Sequence, residues 1–120
     1  MDDVRVLLSD LSGYTVTRSR FLRDRLGIEL VDPSGSRPTV ILELIGLVAY
    51  LDNGLVGAAL SKGYLNDPPG PYAIDIRAGL RNELPEVKEL FLIAHDGHSR
   101  LRCIVGEVSY RPGPLGNDLC

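Results

Sequence analysis

The stretch from Thr39 to Gly54, T-V-I-L-E-L-I-G-L-V-A-Y-L-D-N-G, constrains the fold more than any other part of the chain. Its apolar residues recur at spacings of three and four, which is the period of a helix. Thr39 can cap the first turn through its hydroxyl, and Gly54 can take the left-handed conformation that ends a helix. Glu43 is its only charge before Asp52, so such a helix would be buried from several sides. The stretch therefore predicts a central apolar helix over residues 40–52.

A β-hairpin that turns at residues 52–54 is the alternative structure for this stretch. Asn53-Gly54 is a strong hairpin signal, because both residues accept the backbone angles of a tight turn. We favour the helix on the length and periodicity of the apolar run.

The rest of the first half is predicted to contain one strand, one short helix and one turn. Val4–Leu11 is rich in branched residues and partly alternating, as in a strand. Thr15–Leu26 places Leu22 and Leu26 one helical turn apart, and Gly27 would end that helix. The sequence Asp-Pro-Ser-Gly at 32–35 is typical of a turn.

A linker is predicted at residues 66–71, N-D-P-P-G-P, where three prolines and one glycine exclude regular structure. It would separate an N-terminal lobe, residues 1–65, from a C-terminal lobe, residues 72–120. In the second lobe, apolar runs on both sides of Asp96-Gly97 predict a hairpin over residues 90–109. The predicted fold class is therefore α+β. Each of the two small lobes would contain a small mixed or antiparallel sheet with one or two helices.

Composition places the chain among ordinary globular proteins, with 44% hydrophobic and 24% charged residues. No apolar run reaches the roughly 20 residues that a membrane-spanning helix needs. The opening Met-Asp-Asp-Val-Arg lacks the basic segment and apolar stretch of a secretory signal. We therefore expect a cytoplasmic protein with no membrane partner.

Charge limits the partners that this chain can bind alone. The formal net charge of −3 argues against independent, tight binding of nucleic acid, which normally needs a basic face. One basic patch is still compatible with that charge, and the candidate RNA-binding residues are Arg18, Arg20, Arg23 and Arg25. The competing interpretation is a solvated helix face, which the acidic residue among them favours.

The remaining candidates for chemistry are two cysteines and one polar cluster. Cys103 and Cys120 do not make a disulfide framework or a zinc site, and Cys103 is predicted to be a buried thiol. His95, Asp96 and His98 have a spacing that a metal site could use, but no third or fourth ligand is evident in the sequence. We favour a hairpin turn for these three residues, and we predict no metal and no cofactor.

Segments spread thinly over most of the chain resemble the archaeal type of tRNA-splicing endonuclease. In that family the first lobe ends with an apolar helix patterned L-x-L-x-E-A-x-Y-L, to which Ile41–Leu51 is similar. The second lobe opens with Tyr-x-x-Asp-Leu-Arg-x-x-Gly, which the sequence at 72–79 resembles with one residue fewer before the glycine. A strand, a histidine and a second apolar strand follow in the family, as Phe91–Ile93 and His98–Val105 do here.

The resemblance implies a structural rather than a catalytic role. The family cleaves RNA without a metal, using Tyr, His and Lys, and only His98 matches one of these positions, as a remnant. Ile93 or Ala94 stands near the tyrosine position, and no lysine follows Lys88. The chain would then assemble with a catalytic endonuclease subunit and reach tRNA through that complex.

Association would use the apolar strands of the second lobe, because a small lobe cannot cover them by itself. The predicted interface residues share these strands and are Phe91, Ile93, Leu101, Cys103 and Val105. Two alternatives stay open. One is a self-assembling or small-ligand-binding domain that forms a homo-oligomer. The other is a small metal-dependent enzyme that uses His95, Asp96 and His98.

Overall fold

The computed structural model of this protein describes residues 3–66 and 88–114. These residues form one helix and six strands that make a single antiparallel sheet in the order β1-β2-β3-β6-β5-β4. The elements are α1 Asp3–Ser9, β1 Thr15–Leu22, β2 Arg25–Val31, β3 Val40–Asp52, β4 Leu60–Asn66, β5 Lys88–Ala94 and β6 Ser99–Pro112.

The two ends of the sheet meet, so the sheet curls into a partly closed barrel. Leu60 N at the start of β4 donates to Tyr14 O at 2.8 Å, and Val16 N in β1 donates to Ala58 O at 3.0 Å. Leu11 N, just after α1, donates to Ser61 O at 2.9 Å. These bonds satisfy backbone groups that would otherwise be exposed on two strand edges.

Strands β3 and β6 are the longest pair and form the spine of the sheet. They pair from Val40 opposite Pro112 to Asp52 opposite Leu101, with one register shift between Leu47 and Ala49. Next to this shift, Gly46 has a φ of +72° and faces the backbone of Gly106. A bulge of this kind bends a strand and increases its twist. The bend therefore lets the long pair join β1 and β2 on one side of the barrel to β5 and β4 on the other side.

The interior of the barrel is apolar. Alternate residues of the strands point inward, and the helix covers one side of β4 through Leu8. The largest fully buried side chains include Leu8, Leu11, Tyr14, Ile28, Leu30, Leu42, Leu44, Leu55, Leu60, Leu90 and Leu92.

The helix predicted over residues 40–52 is wrong, because these residues form β3. Leu42 and Leu44 point into the core, whereas Ile41 lies on the opposite face and is also fully buried. A strand that is covered on both faces reads as a continuous apolar run, and such a run satisfies the helical period as well as the strand period.

Two other predictions in the first half are wrong, whereas one predicted turn there and the hairpin predicted in the second half are confirmed. Val4–Leu11 lies mostly in α1 rather than in a strand, and Thr15–Leu26 forms the β1–β2 hairpin rather than a helix. The turn at 32–35 is confirmed, with Gly35 N donating to Asp32 O at 3.0 Å. The hairpin predicted over 90–109 is confirmed as β5 and β6.

The division into two lobes is also corrected. Strand β3 comes from the predicted N-terminal lobe and β6 from the predicted C-terminal lobe, yet they pair along almost their whole length. Residues of both segments share one core. The predicted α+β class is confirmed only in part, because the structure is mostly sheet and has one short helix beside it. Asn66 ends β4, and residues 67–71 of the predicted linker lie outside the described residues.

Within the described parts of the chain, no helix is long and apolar enough to cross a membrane. The one helix there has seven residues. A membrane-spanning helix needs about 20.

Replacement of Gly46 tests the bend in the spine. An added Cβ would meet Gly106 Cα at 3.5 Å, which is an ordinary contact, so the cost comes from the positive φ. We expect Gly46→Ala to lower the free energy of unfolding by about 1–2 kcal/mol, measured by denaturant titration. Gly46→Asn is the control and should cost less, because Asn tolerates this conformation. Equal stability of the alanine variant and the natural protein would contradict a strained bend.

Candidate functional site

The outward face of β3, β6, β5 and β4 carries a row of large side chains across four strands. Tyr64 lies opposite Phe91, Phe91 opposite Arg102, and Arg102 opposite Leu51. Their neighbours along the strands, Leu65, Leu90 and Leu101 among them, point into the core, so these four point outward. We call Leu51, Tyr64, Phe91 and Arg102 the outer row.

The outer row is accessible at both ends and packed in the middle. Leu51 is 60% and Tyr64 46% exposed, whereas Phe91 and Arg102 are half-buried. Neighbouring strands are about 4.8 Å apart, so the row spans roughly 14 Å. A patch of this kind, with aromatic rings and an arginine, has the composition that protein interfaces favour.

Two cations lie over the aromatic rings of this face. Lys62 Nζ is 5.1 Å from the ring centroid of Tyr64, and Arg102 Cζ is 5.2 Å from that of Phe91. Arg102 also forms an ion pair with the buried Glu89 at 3.4 Å. A buried carboxylate is stable only with such partners. The pair therefore holds the Arg102 guanidinium in place on the sheet.

The predicted interface residues separate into two groups. Phe91 and Ile93 lie on the outward face and are half-buried. Leu101, Cys103 and Val105 are buried in the core. The prediction that these three residues belong to an interface is therefore wrong. The reason is the alternation of β6, whose inward side chains fill the barrel. Sequence reasoning missed Leu51 and Tyr64, because only the strand register brings Tyr64 beside Phe91 and Leu51 beside Arg102.

The four arginines predicted as a helix face lie instead on the β1–β2 hairpin. Arg18 pairs with the buried Glu29, with Nη2 at 3.0 Å from Oε2 and Nε at 3.3 Å from Oε1. This hydrogen bond raises the pKa of the Arg18 guanidinium. Arg23 forms the turn with a φ of +59°, and Arg25 begins β2. Arg23 and Arg25 are exposed, and Arg20 is half-buried. The most accessible charge is therefore at the tip of the hairpin.

The residues between β5 and β6 form a tight turn organised by Asp96. Its Oδ1 accepts a hydrogen bond from His98 N at 3.0 Å, and its Oδ2 pairs with Arg100 at 2.6 Å. The bond from the His98 amide, together with the charge of Arg100, lowers the pKa of Asp96. Gly97 takes the positive φ that the turn requires. The turn interpretation of residues 95–98 is thus confirmed. Within residues 3–66 and 88–114, no three His, Cys, Asp or Glu side chains are grouped as a metal site.

A cleft of about 320 Å³ lies between α1 and β4, at one end of the outer row. Arg5, Ser9, Lys62 and Tyr64 contribute polar groups to its lining. Arg5 Nη1 donates to Leu65 O at 2.7 Å, so the helix also covers the edge of β4. The cleft has the size of a small-ligand pocket.

Comparison with known proteins gives no match. No family model fits this sequence, and no curated protein and no solved structure is significantly similar to it.

The buried thiol of Cys103 gives a direct test of the inward face of β6. Burial raises its pKa to about 12, so the reactive thiolate is scarce at neutral and mildly basic pH. We expect a Cys120→Ser variant to resist a thiol reagent at a pH of about 8.5, the ordinary pKa of a thiol. The same variant should react in guanidinium chloride. Rapid labelling of the native variant would contradict the inward position of the Cys103 thiol.

Proposed function

We propose that this chain is a non-catalytic structural subunit that binds a partner protein through the outer row. The observation that carries the proposal is the cross-strand alignment of Leu51, Arg102, Phe91 and Tyr64 on one outward face. Exposed apolar patches with aromatic residues mark interaction surfaces, and Tyr and Arg are frequent among the residues that dominate binding. The ion pair with Glu89 and the packing of Phe91 hold much of this surface in place before binding.

The specific partner that we propose is the catalytic chain of a tRNA-splicing endonuclease. Support comes from the resemblance in residues 91–105, where a strand, a histidine and an apolar strand follow in the family's order. The other segments support it less. Ile41–Leu51 forms a strand where the family pattern has a helix, and residues 72–79 lie outside the described residues.

In such an assembly the partner would supply the chemistry. RNA cleavage of this type needs a group that moves protons and a cation for the charge that develops on phosphorus. His98 lies exposed at the turn between β5 and β6. This chain would hold and orient the catalytic chain. Arg20, Arg23 and Arg25 on the hairpin would help to carry the RNA phosphates once the complex has formed.

The experiment that tests this function is the mass of the native assembly purified from its own cells. Mass spectrometry would identify the chains that are retained. We expect a stoichiometric nuclease chain that carries the missing Tyr and Lys, and cleavage of an intron-bearing tRNA that needs both chains. An assembly that contains no other protein would overturn the proposal.

A substitution in the outer row tests the surface itself. We expect Tyr64→Ser to weaken retention of the partner at least about tenfold, because Tyr is frequent among the residues that dominate binding, and truncation of such a residue costs about 1.4 kcal/mol or more. Tyr110→Ser is the matched control, since Tyr110 is a similarly exposed tyrosine on β6 outside the outer row. Equal losses for the two variants would show that the partner binds elsewhere.

A further inference from the structure

Strand β3 extends beyond its neighbour β2 and leaves an edge. Pairing with β2 ends where Arg25 lies opposite Ile45, but β3 continues along β6 to Asp52. At the start of this extension, Leu47 N donates to Asp24 O at 2.8 Å. No strand within residues 3–66 and 88–114 pairs with Val48–Asp52 on the side away from β6. An edge of this kind is a template for another strand.

Tyr50 stands at the middle of this edge, and its ring packs against that of Phe21 from β1. The rings of Phe21 and Tyr50 are 4.9 Å apart and tilted by 50°. Phe21 is 44% and Tyr50 45% exposed, although they come from two different strands and pack on each other. Cross-strand aromatic pairs stabilise sheets, so a strand added here would gain more than backbone hydrogen bonds.

The two ends of the edge carry opposite charges. At the Leu47 end, Arg23, Asp24 and Arg25 make a turn with a net positive charge. At the other end stands Asp52. All four side chains are exposed. If two copies pair antiparallel about a two-fold axis at Tyr50, Val48 lies opposite Asp52 of the second copy. Asp52 of each copy then comes beside the basic turn of the other.

The edge is therefore complementary to itself in hydrogen bonding, in aromatic packing and in charge. An isologous interface requires this property, because each patch must match its own copy. An unrelated strand would have to supply the same features in the same order. These observations favour a second copy of the chain over another peptide.

We propose that the protein forms a two-fold symmetric dimer in which the Val48–Asp52 edges of two copies pair antiparallel. The tyrosines at position 50 meet at the axis, and the six-stranded sheets of the two copies become continuous. This seam shares Leu51 with the outer row but uses the backbone edge of β3 rather than the outward side chains, so it does not rest on the proposed function. It shares the basic turn with the proposed RNA contact, and an RNA that binds at this turn would compete with the seam.

Sedimentation over a micromolar concentration series, without RNA, tests the dimer. We expect a monomer–dimer equilibrium. Tyr50→Lys and Arg25→Glu should each weaken dimerisation at least about tenfold, or about 1.4 kcal/mol. Tyr50→Lys places a charge in the seam at an exposed position of an edge strand. The matched control is Tyr110→Lys, which alters an exposed tyrosine away from the edge and should leave the equilibrium unchanged.

Hydrogen exchange on the natural sequence provides a second measurement that needs no variant. Amides of Val48–Asp52 should gain protection as the protein concentration rises, whereas amides of the β5–β6 turn should not. A monomer throughout the series would overturn the proposal, and so would a dimer that Tyr50→Lys leaves intact. Tyr64→Ser should not affect dimerisation, so failure of the seam and failure of the outer row give different results.

Discussion

The antiparallel pairing of β3 with β6 is the constraint on which the rest of the structure depends. It joins residues that are far apart in the chain, from Val40 with Pro112 (112 − 40 = 72 positions) to Asp52 with Leu101 (101 − 52 = 49 positions). β2 adds to the first half of this pair, and β5 adds to the N-terminal half of β6. Without the register shift after Leu47 and the close approach of Gly46 to Gly106, the long pair could not serve both halves of the barrel. Both the core and the outward surfaces follow from this register.

Two carboxylates are buried on the outward side of the sheet, and arginines stabilise both of them. Glu29 and Glu89 are buried, and each pairs with an arginine on a neighbouring strand, Arg18 and Arg102. Removing one partner from such a pair would leave an uncompensated buried charge, which is costly. The two arginines therefore have different roles. Arg18 belongs to the fold, whereas Arg102 also contributes its guanidinium to the outer row.

The outer row and the β3 edge give the molecule two surfaces with different physical character. The outer row is a sheet face, where side chains provide the binding energy and cations lie over aromatic rings. The edge offers backbone hydrogen bonds, with Phe21 and Tyr50 beside it. A face suits a partner with its own shape and side chains, and an edge suits a strand. The two surfaces meet at Leu51. A chain that used both would act as a connector between a second copy and a partner of another kind.

Features that depend on a few neighbouring residues can be predicted from the sequence alone. The turns at 32–35 and 95–98, the hairpin of β5 and β6, and the buried thiol of Cys103 all follow from local chemistry. Asp and Gly at fixed positions set the turns, and the apolar surroundings bury the thiol. The tertiary structure alone decided that residues 40–52 are a strand, because a run that is apolar on every side satisfies both periods until its neighbours are known. It also decided the candidate surfaces, since Tyr64, Phe91, Arg102 and Leu51 come from four strands and share no pattern in the chain. Which side chains face inward depends on register, and register is set by pairing between distant strands rather than by local sequence.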